Sequence, residues 1–185
     1  MTIPRNCFPR NAAVGVLLLF ALLAASLRAA ADSPLAGTWR FDAAHSTELS
    51  PWQDYVLTLT VEGDRVTFQR RLGSGRRGFT DTMTLDTSRP FTVVPVPMWP
   101  DNRHLGAYIG GDKTKRVRAE WLDAGRILHL STDLVLSTQQ GDRTVNILSN
   151  YQVSASGTRL TLTELRSTRN RPIVYVFTRA IEGQK

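Results

Sequence analysis

The chain has 185 residues, a formal net charge of +7, three histidines and a single cysteine. One cysteine excludes an internal disulfide, and His45, His104 and His129 do not stand at metal-ligand spacing from one another. The sequence therefore predicts no metal and no cofactor, and because no nucleophile motif orders its serines and acids, an enzyme is not favoured.

The N-terminus has the pattern of a secretory signal peptide. Arg5 and Arg10 precede an apolar run at 12–25, and small residues end at Ala31 before Asp32. We expect cleavage near Ala31-Asp32, so that 1–31 is removed and 32–185 forms a single domain in the periplasm or outside the cell. The apolar run is shorter than the roughly 20 residues that span a membrane, and the mature chain contains no longer one. No membrane span is predicted for the mature chain.

Cleavage would also change the charge that the protein presents. Residues 1–31 contain Arg5, Arg10 and Arg28 but no acid, so the net charge falls by three, from +7 to +4. A mildly basic exported domain is best interpreted as having a solvated surface. We expect no nucleic-acid partner.

From residue 54 onward, apolar and polar residues alternate in short runs between turn residues. This period of two is typical of half-buried strands. After the run 54–62, Gly63-Asp64 provides a two-residue hairpin turn that places Val61 opposite Val66. The apolar faces of the two strands then coincide.

The same register test defines the later hairpins. It predicts the cross-strand pairs Leu72 with Phe79, Trp121 with Leu128, Leu136 with Val145, Tyr151 with Leu160, and Leu162 with Phe177. Successive hairpins make an all-β, antiparallel up-and-down meander, and about 8–10 strands close most naturally into a barrel. A two-sheet sandwich is the alternative. The proline- and glycine-rich segment from Pro95 to Thr114 is predicted as a long loop, or as a loop with one irregular hairpin.

The connections sort into two ends of the predicted barrel. Short turns fall at one end, and the other end collects Ala43–Gln53, Gly73–Gly78, Pro97–Thr114, Gln139–Asp142 and Ser167–Pro172. Long loops in compact domains are disproportionately functional. The loop-rich end is therefore the predicted mouth.

Four charged residues are in phase with the apolar faces near that mouth. Arg70 and Asp81 are predicted to lie opposite each other as a cross-strand ion pair. Glu164 is predicted to lie opposite Tyr175, and Arg166 follows at the end of the same strand. Inward charges need a partner, water or a polar ligand group. A structural ion pair is favoured over a ligand anchor.

Each end of the mature chain carries a short motif. Leu35–Phe41 contains Gly37-Thr38-Trp39, and Tyr175–Arg179 ends in an arginine. These motifs resemble the lipocalin family of the calycin superfamily, whose first strand has a Gly-x-Trp and whose last strand supplies an arginine that stacks over that tryptophan. The resemblance implies a lipocalin-like barrel of the small bacterial secreted type. It also implies a structural plug of Trp39 and Arg179, and binding of a small lipophilic molecule.

Two functions stay open at this point. A carrier would bind a small lipophilic or anionic amphipathic ligand at the mouth, through Arg70, Asp81, Glu164, Arg166, Tyr175, Trp52, Trp99, His104, Arg76 and Arg77. An interaction module would have a filled barrel core and would present loop tryptophans and arginines to an envelope protein. A connected interior cavity would favour the carrier. His104 is the first residue to replace in a test for catalysis.

Overall fold

The computed structural model describes residues 33–49, 52–96 and 108–180, which form one antiparallel sheet curled into a nearly closed barrel. Its strands are β1 (Gly37–Phe41), β2 (Asp54–Glu62), β3 (Arg65–Ser74), β4 (Arg77–Asp86), β5 (Thr92–Pro95), β6 (Tyr108–Ile109), β7 (Thr114–Leu122), β8 (Ile127–Thr138), β9 (Gly141–Val153), β10 (Arg159–Arg166) and β11 (Ile173–Arg179). Short 3₁₀ turns lie at Ala43–His45 and Asp123–Gly125. The predicted all-β meander is confirmed. The predicted signal peptide, 1–31, lies outside the described residues.

The sheet closes through its first and last strands and opens at one seam. Hydrogen-bonded neighbours follow the order β4-β3-β2-β1-β11-β10-β9-β8-β7-β5, and β6 pairs with β8 beside this path. Trp39 of β1 lies opposite Arg179 of β11. β4 and β5 stand at the two ends of the order, where the Asp86 amide donates a hydrogen bond of 3.4 Å to the Thr92 hydroxyl. We call the gap between β4 and β5 the seam.

The first hairpins have the predicted register. Val61 pairs with Val66 across a turn in which Gly63 has a φ of 59°. Leu72 pairs with Phe79, and Trp121 pairs with Leu128, also as predicted. In these hairpins the turn residues are the ones that the sequence marks with glycine, and so the register followed from the sequence.

The registers predicted for three later hairpins are wrong by two residues. The observed pairs are Leu134 with Val145, Val153 with Leu160, and Leu162 with Tyr175. As a result, Glu164 lies opposite Ile173 instead of Tyr175. The shift is even, so each side chain keeps its predicted face. In the β8–β9 hairpin the register differs because the turn is shorter than the predicted loop Gln139–Asp142. The strands pair as far as Thr138 with Gly141, so the turn consists of residues 139 and 140.

The predicted long connection at 73–78 is also wrong in length. β3 and β4 pair as far as Ser74 with Arg77, which leaves a two-residue turn at Gly75 and Arg76. Polar residues at the end of a hairpin extend the strands into solvent, and such strands look like a loop in sequence. The end predicted to be loop-rich therefore contains two tight hairpins.

The barrel interior is filled at the end where β1 begins. Trp39, Phe68 and Phe177 are fully buried there, together with leucines of β2, β4, β8 and β10. A separate apolar cluster of Leu134, Leu136, Val145 and Ile147 lies further along β8 and β9. Within the described ranges, no helix is long and apolar enough to span a membrane.

Candidate functional site

The predicted contact between the two chain ends is present. The Arg179 guanidinium carbon lies 4.1 Å from the centroid of the Trp39 ring. Arg179 donates hydrogen bonds to the carbonyls of Pro34 at 2.6 Å, Ala36 at 2.8 Å and Gly157 at 2.8 Å. Trp39 in turn donates its indole N–H to the Leu35 carbonyl at 2.9 Å. Arg179 thus connects the last strand with the segment 34–39 and with Gly157 at the filled end of the barrel.

A cavity of about 130 Å³ lies between the two apolar clusters. Its lining residues are Leu49, Trp52, Tyr55, Arg70, Leu72, Met83, Val96, Lys115, Leu130, Thr132, Leu134, Ile147, Ser149, Tyr151, Leu162, Glu164, Arg166 and Tyr175. Aliphatic side chains form much of this wall and, apart from Trp52 and Met83, the remaining residues carry charge or hydroxyl groups. The barrel therefore contains a cavity, the kind of feature that the sequence analysis takes to favour a carrier.

Polar side chains on several strands line the cavity. On β3 the inward series runs Val66, Phe68, Arg70, Leu72, and Arg70 interrupts three buried side chains. The inward polar residues on the other strands are Asp81 on β4, Lys115 at the start of β7, Thr132 on β8, Ser149 on β9, and Glu164 and Arg166 at the end of β10. We call these seven residues the polar belt.

Arg70 and Asp81 form the cross-strand ion pair that the sequence predicted. The Arg70 Nε donates to Asp81 Oδ1 at 2.8 Å, and Nη2 donates to Oδ2. Burial alone would lower the pKa of Arg70, but the hydrogen bonds to Asp81 and the electrostatic influence of Tyr55, Asp81 and Tyr151 together outweigh it and raise that pKa above its ordinary value. The pair is directional and two-pronged, so it occupies both oxygens of the carboxylate.

A second ion pair lies within β10. Arg166 Nε donates to Glu164 Oε1 at 2.6 Å, and the two side chains are only 7% and 16% exposed. They stand two positions apart on one strand and so share its inward face. Each carboxylate of the polar belt therefore already has an arginine partner.

Lys115 is the polar-belt residue that sequence reasoning missed. Within the described ranges, its ammonium group has neither a carboxylate at ion-pair distance nor a hydrogen-bond partner. Burial lowers its pKa to about 8, and Arg70 acts in the same direction, against the opposite influence of Asp81 and Glu164. The signal in the sequence is the alternation of Lys115 with Val117 and Ala119. That alternation is short, and the segment before it, up to Thr114, has no periodic pattern that would extend it.

Three tyrosines complete the wall of the cavity. Burial raises the pKa of Tyr55 to about 12 and raises that of Tyr151 well above its ordinary 10.0. Their hydroxyls stay protonated at neutral pH, and neither has a hydrogen-bond partner among the described residues. Both hydroxyls can therefore donate to a ligand oxygen. Tyr175, which the sequence did predict at the mouth, also lines the cavity.

Of the remaining predicted ligand contacts, some line the cavity, some do not, and some lie outside the described residues. Trp52 lines the cavity, and its ring stacks on Phe79 with 6.5 Å between ring centroids. Arg76 and Arg77 are exposed at the β3–β4 turn and are not among the residues that line the cavity. Trp99 and His104 lie outside the described residues. Among the residues that are described, no three histidines, cysteines or acids gather as metal ligands would.

The polar belt also borders a cleft at the seam. This cleft of about 210 Å³ is lined by Arg70, Asp81 and Lys115, together with Val94 and Val96 near the end of β5. Arg70 and Lys115 line both the cleft and the cavity. The two charged side chains therefore stand between the interior of the barrel and the seam.

The fold and the cavity define a small antiparallel barrel with a charged interior site. No protein-family model matches the chain, and no curated protein matches it. A solved structure described as "REP1-NXSQ fatty acid transporter" is similar with a TM-score of 0.49 and 8% sequence identity, over 81% of this chain and 98% of that chain. At this distance nothing about the ligand of that protein is transferred to this chain.

Proposed function

We propose that the protein is an exported lipocalin-like carrier that binds a small, anionic amphipathic molecule in the barrel cavity. The observation that carries the proposal is the unpaired ammonium group of Lys115 in a partly apolar cavity. Export rests on the predicted signal peptide at 1–31.

Charge supports an anionic ligand. The polar belt contains three cations, Arg70, Lys115 and Arg166, and two carboxylates, Asp81 and Glu164. Since both carboxylates are engaged by arginines, one positive charge is left without compensation. A buried charge without a partner is costly, and a ligand carboxylate or phosphate would relieve that cost.

The apolar wall supports an amphipathic ligand. Leu130, Leu134, Ile147 and Leu162 are each at most 7% exposed and face the same cavity as Lys115. Burial of an apolar group against such side chains stabilises a complex by about 25 cal/mol per Å² removed from water. A molecule with one acidic end and one apolar end satisfies both halves of the wall.

Cavity size supports a compact ligand. A cavity of about 150 Å³ lined by aliphatic side chains accommodates benzene, and this cavity is about 130 Å³. A ring or a short alkyl chain fits, and a longer chain would extend out of the cavity.

Calorimetry with matched probes tests the proposal. Hexanoate and benzoate should bind, and hexanol, which matches hexanoate but lacks the charge, should bind at least about tenfold more weakly. Ser149→Leu fills the cavity from β9 and should abolish hexanoate binding. Ser131→Leu makes the same chemical change on the outer face of β8 and should leave it intact. Equal affinity for hexanoate and hexanol, or equal effects of the two serine variants, would contradict the proposal.

The second candidate is the envelope interaction module. It is favoured by exposed apolar residues on the outer surface, where Leu148 and Leu165 pair directly across β9 and β10 and are 37% and 44% exposed. The cavity favours the carrier. A protein that takes up none of the probes and instead associates with a partner through Leu148 and Leu165 would reverse the order.

A further inference from the structure

We propose that Lys115 is a nucleophile that captures a small aldehyde or ketone in the cavity as an imine. This inference rests on the cavity of the proposed function, and it adds a covalent activity to it.

The surroundings of Lys115 favour the neutral amine. Asp81 and Glu164 are each bound to an arginine, and in the described part of the chain neither accepts a hydrogen bond from the ammonium group. Arg70, which lines the same cavity and the same cleft, adds a like charge nearby. Desolvation and a neighbouring cation are the two conditions that activate lysine amines toward carbonyl groups. A pKa of about 8 leaves a reactive fraction of Lys115 unprotonated at neutral pH.

The chemistry balances without any further reagent. The lone pair of the Lys115 Nζ forms a bond to the carbonyl carbon, and the π electrons of the carbonyl move to its oxygen. Proton transfer from nitrogen to oxygen gives a carbinolamine. A second proton reaches the carbinolamine oxygen, and the nitrogen lone pair forms the C=N bond as the C–O bond breaks and water leaves. The nitrogen then gives up its remaining proton, which restores the proton donor and leaves a neutral imine. The reverse reaction with water releases the ligand.

Two hydroxyls in the cavity are available for the proton transfers. Tyr55 and Tyr151 line the same wall as Lys115, and neither hydroxyl is hydrogen-bonded within the described part of the chain. A protonated phenol donates to the carbonyl oxygen, polarises it, and stabilises the developing negative charge. Burial keeps both phenols in the donating form.

Because the chain has few lysines, a covalent label on Lys115 is easy to assign. Only three of its 23 basic residues are lysines, namely Lys113, Lys115 and Lys185. Lys113 is exposed and lies two residues away with a φ of 59°. It therefore serves as an internal control for ordinary amine reactivity.

Reductive trapping tests the proposal. The purified protein is incubated with benzaldehyde or hexanal and sodium cyanoborohydride, which reduces an imine to a stable secondary amine. Intact mass and peptide mapping then locate the label. We expect one benzyl group on Lys115 before any on Lys113, Lys185 or the N-terminus, and hexanoate should protect Lys115 by occupying the cavity.

Two variants at one position keep the covalent and the ionic roles apart. Lys115→Arg should lose trapping at this site and retain hexanoate binding, and Lys115→Met should lose both. Lys113→Asn removes the control amine with a residue that tolerates a positive φ, and it should change neither measurement.

The outcomes separate the two proposals. Hexanoate binding with labels spread evenly over the amines overturns the imine and leaves the carrier. Trapping at Lys115 without hexanoate binding supports the imine and removes the anionic ligand. If neither hexanoate binding nor trapping at Lys115 is observed, both the carrier and the imine are overturned.

Discussion

Lys115 places an uncompensated charge in the barrel interior, and the cost of that charge depends on pH. Its pKa of about 8 in the folded protein lies below the ordinary value of 10.5. Below pH 8 the group is protonated in both states, and the full destabilisation is present. Between these two values the unfolded chain binds more protons than the folded one, so stability rises with pH. Above 10.5 both states are neutral.

Replacing Lys115 by methionine should therefore stabilise the fold. Lys115→Met keeps the length of the side chain and removes the charge, and the pKa shift corresponds to at most about 3 kcal/mol. We expect a higher free energy of unfolding below pH 8, by about 1–3 kcal/mol, that converges with that of the unaltered protein above pH 10.5. Urea denaturation at several pH values measures this. Parallel pH profiles for the two proteins would contradict it.

At the residue scale, the sequence allowed some of the site to be predicted and not the rest. Arg70 and Asp81 were predicted because both sit inside strong alternating patterns, and their hairpin turn is marked by glycines. Lys115 sits at the second residue of β7, where the pattern has only begun. A free ammonium group is defined by the absence of nearby carboxylates from other strands, and this is a property of tertiary packing alone.

Among the elements, β1 carries the most specific geometric requirement. Gly37 has a φ of 130°, and a Cβ at this position would come within 2.6 Å of Arg179 Nη1. The same guanidinium contacts Trp39 and the carbonyls of Pro34 and Ala36. Glycine at position 37 therefore allows the plug to form, because any side chain there would push the guanidinium away from its partners.

Gly37→Ala should destabilise the protein by about 2 kcal/mol or more, since it combines an unfavourable backbone conformation with a displaced arginine. Gly78→Ala is the matched control, because its nearest neighbour, the Leu72 carbonyl oxygen, would lie at an ordinary 3.8 Å. Denaturant unfolding of both variants provides the comparison. The prediction fails if the two substitutions cost the same.

For the strands, the sequence was sufficient to predict which face is buried and insufficient to predict the exact pairing partner in every hairpin. Alternation fixes which face of each strand is buried, and every predicted face is correct even where the register is wrong by two. The exact partner depends on turn length, and polar residues near a turn are compatible with either strand or loop. At Gly63 a glycine with a positive φ lies in the turn itself and indicates the correct strand partners. At Gly141 the φ is also positive, but β9 begins at this glycine, so the residue does not indicate the length of the turn.

For the whole molecule, the seam is the feature that couples the fold to the site. β5 has four residues and is ladder-paired to β7 alone, whereas β8 and β9 run for 12 and 13 residues and are paired on both sides. Edge strands with few hydrogen bonds open locally at a lower free energy than central strands. The polar belt borders this weakest edge through Arg70, Asp81 and Lys115.

Hydrogen exchange should therefore be less protected at β5 than in the middle of β8 and β9. A ligand that pairs with Lys115 immobilises β7, to which β5 is attached through the pairs of Thr92 with Val117 and Val94 with Lys115. Hexanoate should thus slow exchange in β5 by more than in β2. The strand β2 lies across the seam from β5, two strands beyond β4, and contributes Tyr55 alone to the polar part of the wall. Exchange measured by mass spectrometry, with hexanol as the uncharged control, distinguishes this from a general gain in stability. Equal slowing in β5 and β2 would show that the ligand acts on the global equilibrium and not through Lys115 and the seam.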